Sequence, residues 1–457
     1  MAAGTISILC TGDVHLGRHP TRIPTELDGE QFSPSAVWQR TVETALRLEV
    51  DLVALTGDVV DRENRYFEAY GDVEHGIQQL DAGGIPTVAV AGNHDYDVFP
   101  RLADELEIES FHLLGADGTW ERQSITLENN REFHVDGWSF PQAHVLESPL
   151  ERYDLPDEDG PTIGLLHADL GVKTSEYAPV DLGSLLETSV DGWLLGHIHR
   201  PRVHNEENPF VLYPGSPQPL DPGERGRHGP WLLTIDEHGT VSYEQLPLST
   251  VRYDRLDVDV TGVSDPKAVP PLVRDELEVD LGDGPMGEQE LLLARVTLTG
   301  RTDVHAALYR QRSSIEDDLG LVLDGTTVRL ENLHVDTRPA VDLADLADGD
   351  SPAAYLARLL QALDEGVDDE FEGMVDDGFG GAVDDERADG EGAEVDFGSL
   401  VDDALGAMRS AHQGNAYRDL RREDAVDSPT RADAIAMLEA QARLLLDELI
   451  AQREESA

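Results

Sequence analysis

The stretch TISILCTGDVHLG at residues 5–17 opens on an apolar run and closes on a polar cluster, and VDLVALTGDVVD at 50–61 repeats the pattern. Apolar runs this short and this continuous predict strands buried on both faces, here 5–12 and 50–56. Between them SAVWQRTVETALRLEV has helical spacing through Val37, Val42, Ala45, Leu46 and Val50. Further strands are expected at 86–91 (PTVAVA), 162–167 (TIGLLH) and 191–196 (DGWLLG). Buried strands alternating with helices argue for an α/β layered core. Every one of these strands runs out into polar residues, and ligands collect beyond strand carboxyl ends in such sheets.

Five of those ends carry chemistry. They are GDVH (Asp13, His15), GDVVD (Asp58, Asp61), GNHD (Asn93, His94, Asp95), LLH (His167) and GHIH (His197, His199). Asp13 and His15 stand two apart at a strand end, so both can turn toward one ion, and the same holds for His197 and His199. Two ions roughly 3.5–4 Å apart need a shared ligand, for which a carboxylate is the natural bridge; Asp58 is the candidate. Mixed imidazole and carboxylate ligands suit Mn, Fe or Zn, whereas Mg prefers oxygen alone. Asn93 offers a neutral oxygen, which leaves the site more electrophilic, and His94 beside it is free to face a substrate. One GNHD or GHIH is weak, because a loop histidine is usually a surface polar residue. All five together at strand ends predict a metal site.

After Thr250 the texture changes. RLDVDVTG, LLLARVTLTG and TTVRLENLHV alternate with period 2, with helical patterns at 266–278 and 303–315 between them, so 251–340 reads as a small α+β domain. A helical connector is expected at 341–363, a disordered acidic Asp/Glu/Gly-rich linker at 364–398, and a C-terminal helical segment at 399–457. In its last helix Ile435, Leu438, Ala442, Leu445 and Leu449 form one apolar stripe, which either docks on its own protein or binds a partner. The chain of 457 residues carries 92 acidic and 34 basic side chains, a net charge of -58, and its only lysines are Lys173 and Lys267. The acid is spread along the whole sequence, which reads as the hydrated surface of a salt-adapted (halophilic) proteome. The single cysteine, Cys10, excludes an internal disulfide and fits a cytoplasmic protein. There is no signal-peptide pattern in MAAGTISILC, and no apolar run nears the roughly 18 residues of a membrane span.

In order and spacing the five motifs resemble the calcineurin-like metallophosphoesterase superfamily, over about residues 5–250. The resemblance implies a four-layer β-sandwich flanked by helices instead of one parallel sheet. YAPVDLGSLLETSVDGWLLGHIHRP (177–201) and YPGSPQPLDPGERGRHGPWLL (213–233) further resemble the SbcD-like and YhaO-like DNA repair exonucleases. In that branch a capping domain follows the phosphoesterase domain, and 251–340 fits it. The resemblance implies that Asp13, His15, Asp58 and His199 hold one ion and Asp58, Asn93, His167 and His197 a second, with manganese as the metal. It implies that His94 stabilises the phosphate or protonates the leaving oxygen, with Asp95 orienting its ring. Asp61 stands where archaeal and eukaryotic relatives often have a substrate-fixing histidine, and a carboxylate that holds a turn or supports a metal ligand from behind suits it as well. The implied activity is two-metal 3′-to-5′ exonucleolytic hydrolysis of DNA, with an SMC-like coiled-coil ATPase partner and a homodimer. Two rivals remain: a small-molecule or nucleotide phosphodiesterase on the same scaffold, and a scaffold subunit for the ATPase. DNA affinity comes largely from phosphate contacts. Arg18, Arg62, Arg200, Arg225 and Arg227 follow the motifs and are expected to supply them, although pairing with carboxylates would also explain these arginines.

Overall fold

The structure is a computed structural model that describes residues 5–27, 29–61, 66–127, 132–236, 239–281, 290–319, 321–323, 326–349, 351–364, 397–413 and 429–455. Most of the acidic linker and Arg62 lie outside the described residues. In β1 (Ile6–Thr11) the apolar run does what its composition requires, burying all six residues. Successive side chains alternate between faces: Ile6, Ile8 and Cys10 join one core and Leu9 another. β1 pairs in parallel with β2 (Leu52–Leu55), β2 with β3 (Thr87–Ala89), and β3 with β4 (Phe111–Leu113). β13 (Trp231–Ile235) adds antiparallel to the other side of β1, and β14 (Val241–Gln245) closes that edge, for a first sheet ordered β14-β13-β1-β2-β3-β4.

The second sheet is ordered β11-β12-β10-β7-β6-β5. Its members are β5 (Glu121–Thr126), β6 (Glu132–Trp138), β7 (Thr162–His167), β10 (Gly192–Gly196), β11 (Arg202–Asn205) and β12 (Phe210–Tyr213), while β8 (Asp169–Leu170) and β9 (Pro179–Val180) form a separate small pair. The two sheets pack face to face through Ile6, Ile8, Leu52 and Val88 of one and Phe133, Ile163, Leu194 and Phe210 of the other. Helices α1 (Pro34–Leu48), α2 (Tyr66–Ala82) and α3 (Phe99–Leu106) cover the outer face of the first sheet through Trp38, Val42, Val73, Ile77 and Leu102. Helix α1 starts where Ser33 caps it, its hydroxyl accepting from Ala36 N at 3.2 Å, with Pro34 at the first helical turn. The outer face of the second sheet is covered by Trp120, Phe140, Leu185 and Val190 packed on Trp138, Trp193 and Tyr213. A layered sandwich flanked by helices therefore replaces the single layered sheet that periodicity alone suggests.

By internal packing the chain divides into two compact units. One comprises Met1–Val258, Lys267–Leu298 and Gln311–Val335, the other Asp259–Pro266, Thr299–Arg310 and Asp336–Ala457. A four-stranded sheet follows the sandwich in sequence, ordered β15 (Val251–Asp259), β16 (Leu291–Thr302), β18 (Thr326–Pro339), β17 (Leu321–Leu323), with helices Val269–Leu281 and His305–Asp318 in its connections. In the second unit, helices Pro352–Asp364, Phe397–Gln413 and Arg431–Glu455 share a core of Leu359, Leu360, Leu363, Val401, Ala442 and Leu446. The terminal stripe is thus corrected in phase. Ile435, Leu438 and Ala442 do face the core, but it continues through Leu446 and Ile450, and Leu445 is 50% exposed. At 100° per residue each step of four drifts by about 40°, so the seam through Leu438, Ala442, Leu446 and Ile450 turns progressively away from Leu445. Among the described residues no helix is long and apolar enough to cross a membrane.

Candidate metal centre

The motif loops reach one another because their backbones adopt conformations that ordinary residues avoid. Asp13, His15, Asp58 and His197 all have left-handed φ, at 49°, 51°, 49° and 101°, a cost on the order of 1–3 kcal/mol each that surrounding bonds must hold. Asp13 N donates to Gly57 O (2.9 Å), His15 N to Asp58 O (3.0 Å) and Asp61 N to Leu16 O (3.0 Å), which zips the first two loops together. Across the sandwich, His197 N donates to Asp13 Oδ1 at 3.0 Å and the His167 ring meets Thr56 O through Nδ1 at 3.0 Å. These approaches explain the glycines that head the motifs. A Cβ on Gly92 would stand 2.2 Å from Asp58 Oδ1, and one on Gly196 2.0 Å from Thr56 O.

Among the described residues three groups of ligand atoms each gather within 4.8 Å: Asp13, His15 and His199; Asp13, Asp58 and His167; and His15, Asp61 and His94. The Nε2 atoms of His15 and His199 face each other at 3.1 Å. His167 Nε2 lies 3.0 Å from Asn93 Oδ1 and 3.4 Å from Asp58 Oδ2, and Asp58 Oδ2 is 3.9 Å from His15 Nε2, so Asp58 stands between the two ends of the site. Asp13, His15, Asp58 and His167 are all buried. His197 arrives by a different route: its ring leans on Tyr177 at a tilt (5.0 Å between centroids) and lies edge-on to His167 (5.4 Å), and it joins none of the three groups.

This donor set fits a divalent cation. The Nδ1 atoms of His15 and His199 turn to carboxylates, at 3.4 Å (Asp61) and 2.7 Å (Glu224). Their Nε2 atoms converge at 3.1 Å, close enough to share a proton and placed where a divalent cation would displace it. The electrostatics agree. Burial alone would raise the Asp58 carboxyl, but His167 and His15 beside it hold it well below the usual range. Burial likewise opposes charge on His167 and His199, yet Asp58 and Glu224 respectively raise them to about 9. At His197 burial, then the charge of His167, outweighs the pull of Asp58 and pushes the ring down to about 3.

Two acidic residues take different places around His94. Asp95 is buried, and its oxygens accept from Gly92 N (2.7 Å), Val59 N (2.7 Å) and Val60 N (3.3 Å). It clamps two motif loops together instead of orienting His94. Burial, then the charge of Asp58, raises its carboxyl to about 7. The carboxylate beside the His94 ring is Asp61, 4.0 Å from Nδ1, and the same Asp61 oxygen lies 3.4 Å from Arg18 Nε. His94 keeps 38% of its side chain exposed and stands edge-on to His15 at 5.0 Å, and burial lowers its pKa below the ordinary histidine value.

The expected phosphate-binding arginines scatter. Arg18 is drawn into the site by Asp61, and Arg200 is exposed directly after GHIH. Arg225 instead lines a cavity of about 240 Å³ with Tyr253, Arg255, Arg295 and Glu331, and exposed Arg227 contacts Gln245 Nε2 through its backbone oxygen. Sequence reasoning missed Glu224, in the middle of PGERG, because nothing local marks it as a partner for a histidine 25 residues away.

The calcineurin-like phosphoesterase family model matches residues 6–201, and the model of the metallophosphoesterase YhaO middle domain matches residues 253–338. The chain is similar to the uncharacterized metallophosphoesterase YhaO of Bacillus subtilis, 29% identical over 236 residues that cover 51% of this chain and 57% of that one. It is also similar to the DNA double-strand break repair protein Mre11 of Methanopyrus kandleri, 25% identical with 51% and 54% covered, and of Haloferax volcanii, 26% identical with 70% of each covered. The chain spans little more than half the length of the first two of these relatives.

Proposed function

We propose that this chain, which belongs to the calcineurin-like metallophosphoesterases in the branch of YhaO and Mre11, is a metal-dependent DNA exonuclease. The observation that carries the reading is the convergence of Asp13, His15, Asp58, Asn93, His167 and His199 from both sheets onto one buried edge. Asp13, His15 and His199 would hold one divalent ion and Asn93, His167 and His197 the other, with Asp58 placed to serve both. Bound ions supply Lewis acidity toward the phosphoryl oxygens and activate the water nucleophile. His94 serves as the acid–base residue: its ring is half exposed and Asp61 stands at Nδ1 to orient it, so it donates to the phosphate or the departing oxygen. Arg18 and Arg200 meet the flanking phosphates, which local charge permits despite a net -58.

The finer assignments follow the same reading. Manganese is the metal, action runs 3′ to 5′ in a salt-rich cytoplasm, and the protein works as a homodimer with a coiled-coil SMC-like ATPase. The division into a phosphoesterase domain at 1–250, a capping domain at 251–340 and a C-terminal helical segment at 399–457 belongs to it too. The test is incubation of purified protein with Mn²⁺ at high salt, end-labelled linear DNA and bis-p-nitrophenyl phosphate, with Asp58→Ala as blank. Stepwise shortening of DNA that disappears in the variant supports the reading. Hydrolysis of the small diester with DNA left intact, even with an ATPase partner added, overturns it in favour of a small-molecule phosphodiesterase.

A further inference from the structure

We propose that Glu224 is a positioning residue for His199 and that, together with Asp61, it makes the two ion sites unequal, the one at Asp13, His15 and His199 being the tighter. The inference rests on the two-ion reading above. Its basis is the set of groups standing behind each imidazole. His199 Nδ1 meets Glu224 Oε1 at 2.7 Å and His15 Nδ1 meets Asp61 Oδ2 at 3.4 Å, both through largely buried carboxylates. His167 has a neutral backbone carbonyl there, Thr56 O at 3.0 Å. His197 has no carboxylate against its ring among the described contacts, only the Tyr177 and His167 rings.

A carboxylate behind a ligand imidazole fixes its tautomer, holds its plane and makes the opposite nitrogen a stronger donor, and its loss typically costs roughly 10- to 100-fold in metal affinity. Among the described residues a carboxylate stands behind each imidazole of the first site, hydrogen-bonded at His199 and at ion-pair distance at His15, and behind neither imidazole of the second. Glu224 is built for this part. Its other oxygen accepts from Ser216 Oγ (3.0 Å) and Leu220 N (2.8 Å), so the carboxylate is immobilised before any ion arrives. The PGERG turn thereby supplies its glutamate to the metal centre, while Arg225 beside it faces a separate cavity.

The experiment is a Mn²⁺ titration of the full, chelator-stripped chain by calorimetry, with bound Mn(II) counted by electron paramagnetic resonance. Wild type is expected to bind two ions in two classes at least tenfold apart. Glu224→Gln keeps an oxygen toward His199 but removes the charge, and is expected to weaken the tight class roughly 10- to 100-fold and leave the weak class unchanged. Glu224→Asp is expected to restore part of the loss. Ser216→Ala removes one of the two bonds to the other Glu224 oxygen, keeps that from Leu220 N and leaves the charge untouched, and is expected to leave both classes intact. Asp61→Asn repeats the test at His15, so a poorly folded Glu224 variant does not leave the question open. Two ions bound with no change in Glu224→Gln and Asp61→Asn, or with both classes weakened equally, overturns the inference alone. Fewer than two ions in wild type overturns it together with the two-ion reading beneath it.

Discussion

Around Asp13, Asp58 and His197 the chain is held by backbone hydrogen bonds, left-handed residues and glycines that admit a neighbouring loop, and the carboxylates there are buried. Around Leu446 three helices are held by interdigitated leucines and alanines, with acid at the rim in pairs such as Arg431–Asp402 (2.9 Å) and Arg443–Glu439 (2.7 Å). In a chain with 92 acidic residues this contrast shows what decides a carboxylate's use. A buried carboxylate must be paired or hold a cation, since desolvation of an unpaired charge is costly. An exposed one gains little from any single partner. The metal centre is therefore specific and brittle, and the helical core robust to exchange at its surface.

The contrast breaks first at Asp58. Asp58→Ala is expected to abolish phosphodiester hydrolysis and release metal, as measured by turnover of bis-p-nitrophenyl phosphate and by elemental analysis; retention of both would remove the bridging role. Next comes His94→Ala, expected to slow turnover roughly 10²–10⁴-fold with metal content unchanged. Loss of metal from that variant would move His94 into the ligand set.

A pH series sharpens the same region. In the metal-free site His167 and His199 are raised to about 9, above an unfolded value of about 6.5. Their stabilisation is complete below pH about 6.5 and is lost as pH rises through about 9. Melting temperature in chelator is expected to fall across that window. Apparent Mn²⁺ affinity is expected to rise about tenfold per pH unit for each proton displaced. Thermal melts with and without Mn²⁺ read both, and an affinity flat with pH would contradict the geometry.

The smaller effects lie among the helices. Leu446→Ala is expected to cost about 2–5 kcal/mol by denaturant unfolding without changing hydrolysis of the small diester. Its neighbour Leu445→Ser is expected to stay within about 0.5 kcal/mol of wild type. Equal costs at the two positions would restore the stripe that periodicity alone suggests.

That neighbouring pair shows where a sequence runs out. The helix at 431–455 is legible from its repeat, but the repeat tolerates more than one seam, and packing against 352–364 and 397–413 selected the one through Leu446. Likewise, apolar runs read the same whether strands share one sheet or two, so the sandwich entered only by resemblance to a family. Asp61 and Asp95 are chemically alike and both stand in metal-type motifs. One turned toward His15 and His94, the other toward the backbone of two loops.

What the sequence by itself determined is a set of metal-type side chains at buried strand ends, marked by a glycine before Asp13, Asp58, Asn93 and His197 and by an apolar run before His167, because both signals are local. Tertiary structure decided which oxygen faces which nitrogen. Glu224 and His199 are 25 residues apart in the chain and 2.7 Å apart in space, and only the fold's closure brings such a pair together.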